Sequence, residues 1–224
     1  MVPFSFAGQE LSLLRCGALY WPREQALLVA DLHLEKGSFF ARFGQLLPPY
    51  DSRETLDRLA LAIRQSGARR VLCLGDSFHD ADGADRLEPY AAGMLAALTR
   101  AVDWVWITGN HDADVTPREG GTRHDELELG GITLRHQART GAAGLELSGH
   151  FHPRLKLSLR GRRIVRPCTV ASESRLILPA FGAFTGGMDA ADPAILSAMQ
   201  PARTIRALVS AGGKLVEFPL WQAA

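Results

Sequence analysis

The chain has 224 residues, 46% hydrophobic and 22% charged, with a formal net charge of +1. These proportions exclude disordered, collagen-like and coiled-coil chains, and the length fits a single domain over residues 1–224 with one large core. Near neutrality excludes a global field pulling the chain onto nucleic acid or an anionic membrane, so any such attraction must be local.

No apolar run nears the ~18 to 20 residues of a membrane helix. Met1 to Glu10 lacks the cationic start and apolar stretch of a signal peptide, so a cytoplasmic chain without membrane contact is expected. Cys16, Cys73 and Cys168 are odd in number and lack CxxC spacing, which argues for reduced thiols and against a thiolate zinc site.

In chain order, Leu27 to Ala30 reads as a buried strand. Asp51 to Gly67 reads as a helix, with Asp51 and Glu54 as a capping box and Leu56, Leu59, Ala60 and Ile63 as its apolar stripe. Val71 to Leu74 is a second buried strand, Glu88 to Arg100 a second helix, and Trp104 to Thr108 a third strand. Beyond them short strands follow without room for helices: Ile132 to Arg135, Leu145 to Leu147, Leu155 to Leu159, Arg163 to Val165 and Arg175 to Leu178. That spacing predicts a meander, and Thr204 to Val209 with Lys214 to Phe218 flanks Gly212-Gly213 as a hairpin. The sum is an α/β class chain, two sheets packed face to face with helices outside.

Five strands end in a metal-type donor. Val29-Ala30 runs into Asp31-Leu32-His33, Leu74 into Gly75-Asp76, Thr108 into Gly109-Asn110-His111-Asp112, Arg135 into His136, and Ser148 into Gly149-His150-Phe151-His152. Ligands of open α/β sheets sit beyond strand carboxyl ends, so these residues are expected to converge. Carboxylate, amide oxygen and imidazole suit manganese, iron or zinc better than copper. Seven donors exceed the needs of one ion, whereas two ions about 3.5 to 4 Å apart sharing a carboxylate use them all.

At these residues the chain resembles the calcineurin-like metallophosphoesterases, whose elements DxH, GD, GNH followed by an acid, a lone His and GHxH occur once each and in order. The resemblance implies an α/β/β/α sandwich of two mixed sheets. It further implies a first metal held by Asp31, His33, Asp76 and His152, and a second held by Asp76, Asn110, His136 and His150. His111 would be the catalytic imidazole outside the ligand set, with Asp112 orienting it. His124, the rival to His136, lies in a polar turn-like stretch and stays unassigned.

Gly75-Asp76-Ser77-Phe78-His79 resembles the GDxFH motif of break-repair nucleases in the same superfamily, which implies a place for His79 near the substrate phosphate. Lys36, close behind His33, is a candidate phosphate contact or a solvated lysine. Arg154, Lys156, Arg160, Arg162, Arg163 and Arg166 form an all-basic run; alternation puts Leu155, Leu157 and Leu159 on one face and Arg154, Lys156 and Arg160 on the other, which predicts a cationic ridge starting just after His152, the alternative being an ordinary solvated strand face. The run Pro179 to Gly187 reads as a packed turn with core phenylalanines, the alternative being a rim on which a base stacks against Phe181 or Phe184.

Asp31 to Gly37, Leu47 to Asp51, the GDSFHD run and PAFGAFTGG together resemble the bacterial ligase-associated DNA damage response endonucleases of the PdeM type. That resemblance implies a manganese-dependent phosphodiesterase cutting single-stranded or looped DNA in repair, beside a DNA ligase and a helicase. The alternatives are a phosphodiesterase or pyrophosphatase acting on a nucleotide or lipid precursor and, against the intact donor set, an inactive assembly subunit.

Overall fold

The structure is a computed structural model that describes residues 1–112, 120–159 and 161–223. The first sheet has seven strands in sequence order: β1 (Val2–Phe6), β2 (Gln9–Leu13), β3 (Leu19–Trp21), β4 (Ala26–Val29), β5 (Arg70–Leu74), β6 (Asp103–Ile107) and β7 (Thr122–His124). β1 to β4 pair antiparallel, whereas β4, β5, β6 and β7 run parallel, so their carboxyl ends share one edge.

The remaining strands are β8 (Leu127–Leu129), β9 (Ile132–Leu134), β10 (Leu145–Ser148), β11 (Arg154–Leu159), β12 (Arg162–Pro167), β13 (Thr169–Ala171), β14 (Arg175–Ile177), β15 (Thr204–Ala211) and β16 (Lys214–Gln222). The second sheet orders them β16-β15-β13-β14-β10-β9-β8, and β11 with β12 stands apart as a two-stranded ribbon. The expected meander is corrected here, because β9, β10 and β14 are parallel neighbours. Parallel neighbours need long crossovers, and loops and the β11–β12 ribbon supply them where helices are absent.

Helices α1 (Lys36–Ala41), α2 (Asp51–Ser66), α3 (Gly83–Arg86), α4 (Pro89–Ala101) and α5 (Pro193–Ala198) complete the chain. Burial on both faces of the central strands explains the layers. Leu28, Leu72, Leu74 and Ile107 point between the sheets and meet Leu134, Leu147, Leu176 and Leu178. The alternate residues Leu27, Val29, Val71, Cys73 and Trp104 face outward onto Leu56, Leu59, Ala91 and Leu95 of α2 and α4. On the far side Val170, Ile177, Ile205 and Ala207 pack against Ile195 and Met199 beside α5. The result is the α/β/β/α sandwich. No helix among the described residues is long and apolar enough to cross a membrane.

The capping-box reading of Asp51 is also corrected. The cap of α2 is Tyr50, and the Asp51 carboxylate accepts the Gly37 N–H at 3.0 Å instead, tying α2 to α1. Cys16, Cys73 and Cys168 are unpaired.

Candidate metal centre

The loops after β4, β5, β6, β9 and β10 bring their donors to one edge. Asp31, His33 and His152 form one cluster and Asp76, His136 and His150 another, with ligand atoms within 4.8 Å of one another in each. Asp76 joins them: its Oδ2 lies 3.4 Å from His136 Nε2, 3.9 Å from His33 Nε2 and 4.0 Å from His111 Nε2. Asn110 Oδ1 stands 2.9 Å from His136 Nε2, inside the second group. Thus all seven expected donors converge.

Close approach requires unusual backbone. Asp31, His33, Asp76, His150 and His152 all have φ between 44° and 72°, a left-handed region that costs a side-chain-bearing residue about 1 to 3 kcal/mol. Interlocking amides hold these turns in place. Asp31 N–H donates to Gly75 O, His33 N–H to Asp76 O, and His150 N–H to Asp31 Oδ2 at 3.0 Å. Gly109 is needed because a Cβ there would sit 2.2 Å from both N and Oδ1 of Asp76.

The donor chemistry fits cations. His136 gives its Nδ1 proton to the Leu74 carbonyl at 3.0 Å, which leaves Nε2 as a bare lone pair. That lone pair faces His150 Nδ1 at 3.0 Å, and His33 Nε2 faces His152 Nε2 at 3.2 Å. Facing nitrogens need a shared proton or a shared cation. Burial, reinforced by the neighbouring His152, pushes the His33 pKa down to about 2, and burial lowers that of His150 as well. Protons are therefore disfavoured, and the pairs suit divalent ions.

Two further imidazoles join His33 at the mouth: His33, His79 and His111 also lie within ligand distance of one another. The His79 ring stacks on His111 with centroids 5.3 Å apart, and its Nδ1 is 3.4 Å from His33 Nδ1. Burial, with Lys36 and His111 adding to it, lowers the His79 pKa to about 4, so this ring is neutral at neutral pH. Lys36, half-buried at the start of α1, lies 6.0 Å from the centre of the Phe40 ring.

Residues 25–154 match the family model of the calcineurin-like phosphoesterases. The chain belongs to that family. A solved structure of the Pseudomonas putida nuclease MPE is 30% identical, with a TM-score of 0.74 over 97% of this chain and 98% of that one. Two looser matches are the phosphoesterase Yfce from E. coli, at 14% identity and TM-score 0.42 over 88% of this chain and 99% of that one, and a Streptococcus pneumoniae phosphoesterase, at 14% and 0.34 over 87% and 96%. No curated protein sequence matches the chain. As a calcineurin-like phosphoesterase it is a phosphoester hydrolase, with a donor set suited to divalent metal.

Against the family pattern, Asp112 departs from the expected role. It does not touch the His111 ring: its carboxylate is buried and accepts N–H groups from Ser77 at 2.6 Å, Phe78 at 3.3 Å and Gly109 at 2.9 Å. Asp112 therefore clamps the β5 and β6 loops together, and burial raises its pKa against those bonds. His111 is oriented instead by the His79 carbonyl, which accepts its Nδ1–H at 2.7 Å. A main-chain carbonyl carries no residue signature, so sequence offered no sign of it.

The β11 alternation separates Arg154 and Lys156 from Leu155 and Leu157, but β12 does not add all its arginines to the same face. In the β11–β12 register Leu155 faces Arg166 and Leu159 faces Arg162, whereas Lys156 faces Val165 and Ser158 faces Arg163. Directly paired residues share a face, so the arginines of β12 divide between both faces of the ribbon. Lys156 is also neutralised in part by Asp189 at 3.5 Å. Arg162 and Arg163 pair five and four residues along β11 from Arg154, roughly 13 to 17 Å at the usual strand rise, so only Arg154 adjoins the centre. Arg160 lies outside the described residues.

Proposed function

We propose that this calcineurin-like phosphoesterase is a manganese-dependent DNA endonuclease acting on single-stranded or looped DNA in repair. The observation that carries the reading is Asp76 Oδ2 standing between the His33 and His136 nitrogens, a carboxylate placed to serve two ions at once. Similarity to a nuclease along nearly the whole chain supports the choice of substrate.

Asp31, His33, Asp76 and His152 would hold one ion, and Asp76, Asn110, His136 and His150 the other. Bound there, two divalent ions would supply positive charge against the phosphodiester oxygens and would lower the pKa of water at the centre. The chain does the remainder. Asp112 fixes the loops that present Asp76 and His111, and burial disfavours protons on His33 and His150. His111, exposed at the mouth with Nδ1 engaged, has Nε2 free to carry a proton to the departing alkoxide. The neutral His79 ring beside it can donate to a non-bridging phosphate oxygen, and Lys36 adds charge at the same edge.

The intact donor set argues against an inactive subunit of the same fold. The test is cleavage of closed circular single-stranded DNA beside a small chromogenic phosphodiester, with and without manganese. Circles have no ends, so linear product establishes internal cutting. Hydrolysis of the small diester with intact circles would overturn the endonuclease assignment alone.

A further inference from the structure

Beside His152 a cleft of about 260 Å³ opens off the metal centre, between α2 and the loop after β14. That volume is far above the ~10 to 15 Å³ that one water needs, room for an organic group and more than an ion needs. Its lining carries two cations and one acid: Arg58 from α2, Arg154 from the start of β11, and Glu54.

The loop forming the far wall is held in place from three sides. The Ala183 N–H donates to Thr55 Oγ1 at 2.9 Å, and the Arg58 guanidinium donates to the Phe181 carbonyl while lying 5.1 Å from the centre of the Phe181 ring. Gly182 packs so tightly on the Asp31–Leu32 turn that a Cβ would meet the Leu32 carbonyl at 2.1 Å. Arg154 Nη1 donates to the Thr185 carbonyl at 3.4 Å. The Nε atoms of Arg58 and Arg154 are both buried without a hydrogen-bond partner.

This frame gives the two phenylalanines opposite fates. Phe181 is 1% exposed and belongs to the core, whereas Phe184, with φ of 56°, is turned outward and 42% exposed. Across the rim Tyr50 is 53% exposed, its ring centre 6.0 Å from that of Phe184 at 64°. An edge-to-face pair leaves ring faces open to solvent, and this pair stands at the rim of a cleft lined by two arginines.

We propose that Tyr50 and Phe184 form a subsite for an unpaired nucleobase, with Arg58 and Arg154 facing the phosphate next to the one being cut. The inference rests on the nuclease reading and adds to it the side on which the strand leaves the centre: past His152, along the cleft, not across His79. Stacking accepts any base, so the subsite sets strandedness, not sequence. A paired base cannot offer its face, which makes single strands and loops the favoured form.

The test measures equilibrium binding by fluorescence anisotropy, using manganese-loaded protein in a His111→Ala background to slow cutting. The probes are a labelled single-stranded oligonucleotide and an abasic strand of equal length. The base-bearing strand should bind more tightly by about 5- to 150-fold, the span one stacked base commands. Tyr50→Ala with Phe184→Ala should abolish that preference, and Phe184→Leu, which keeps apolar bulk without a ring face, should weaken it. Arg58→Gln should weaken both strands together and flatten the dependence on salt. Equal binding of the two strands by the unsubstituted rim, or a preference that survives loss of both rings, overturns the subsite and leaves the nuclease reading standing. Binding of neither strand overturns both.

Discussion

The Nδ1–H of His111 donates to the main-chain carbonyl of His79 at 2.7 Å, so the position of one imidazole is set by the backbone of another. His111 Nε2 then points into the centre, 4.0 Å from Asp76 Oδ2, without belonging to either of the two clusters among which the seven donors divide. His111→Ala is therefore expected to keep its full metal content, measured by elemental analysis. It should lose about 100- to 10,000-fold in turnover on DNA, the usual worth of a general acid. With a nitrophenolate leaving group, which departs without help, the loss should be much smaller. Equal losses on both substrates would remove His111 from the acid role.

Asp76 is the carboxylate both clusters approach, and Oδ1 is occupied by the His111 N–H at 2.9 Å. Replacing it removes charge from two sites and loosens the His111 loop at once. For Asp76→Ala we expect loss of at least one bound ion and a fall in diester hydrolysis beyond the ~10- to 100-fold of outer-shell changes. Metal stoichiometry read together with turnover decides the matter, and unchanged values would refute the shared-ligand assignment.

A subtler variant tests the same geometry without touching a donor. In Gly109→Ala the new Cβ would fall 2.2 Å from Asp76 N and Oδ1, the first a main-chain atom with little freedom to yield and the second the carboxylate itself. The loop must shift, and Asp76 with it. Weaker metal binding, measured by competition with a chelating dye, is expected with the far-ultraviolet spectrum preserved.

His33 makes the metal-free chain sensitive to acid. Its folded pKa is lowered from 6.5 to about 2 by burial and then by His152, so below pH 6.5 the unfolded chain takes a proton that the folded chain refuses. Stability is then lost as pH falls, starting at the unfolded value. Between pH 7.5 and pH 5 the loss from this group is about 2 kcal/mol. Urea unfolding of metal-free protein at the two pH values measures it, and His33→Gln should flatten the difference.

The donor residues could be read from the chain because phosphoester chemistry constrains residue type and strand-end position together. Asp31, His33, Asp76, Asn110, His136, His150 and His152 therefore carry their own signal. Features set by partners in space could not be read in this way. β1 to β3 are short and only partly alternating, and their pairing to one another defines them. α1 hides behind the DLHLEKG motif, and its Phe39 and Phe40 pack against His79, 40 and 39 residues away in sequence and unrelated by period. The split of the arginines across β11 and β12 depends on register, which a one-strand alternation argument cannot supply. Phe181 and Phe184 are three residues apart in one glycine-rich run, and only the anchoring by Thr55 and Arg58 decides which is core.

Away from the site, Arg175 tests how the second sheet is held together. At 1% exposure its guanidinium donates to four carbonyls: Met199 at 3.3 Å, Gln200 at 2.5 Å, Arg139 at 3.1 Å and Ala142 at 2.6 Å. Its Nε is 3.9 Å from Glu146 Oε1, while Arg135 Nη1 approaches Glu146 Oε2 at 3.3 Å. Burial raises the Glu146 pKa even against these two cations, so removal of one cation leaves a carboxylate that is costly to keep charged. Arg175→Met keeps much of the volume but strands four carbonyls and half of an ion pair, at about 3 to 5 kcal/mol. Urea denaturation at pH 7 measures this cost. Because a raised carboxylate pKa favours the folded state at low pH, part of the deficit should be recovered as pH is lowered towards the unfolded value, and also by adding Glu146→Gln. A variant as stable as the parent at pH 7 would mean that those carbonyls find other donors and that Arg175 is dispensable to the fold.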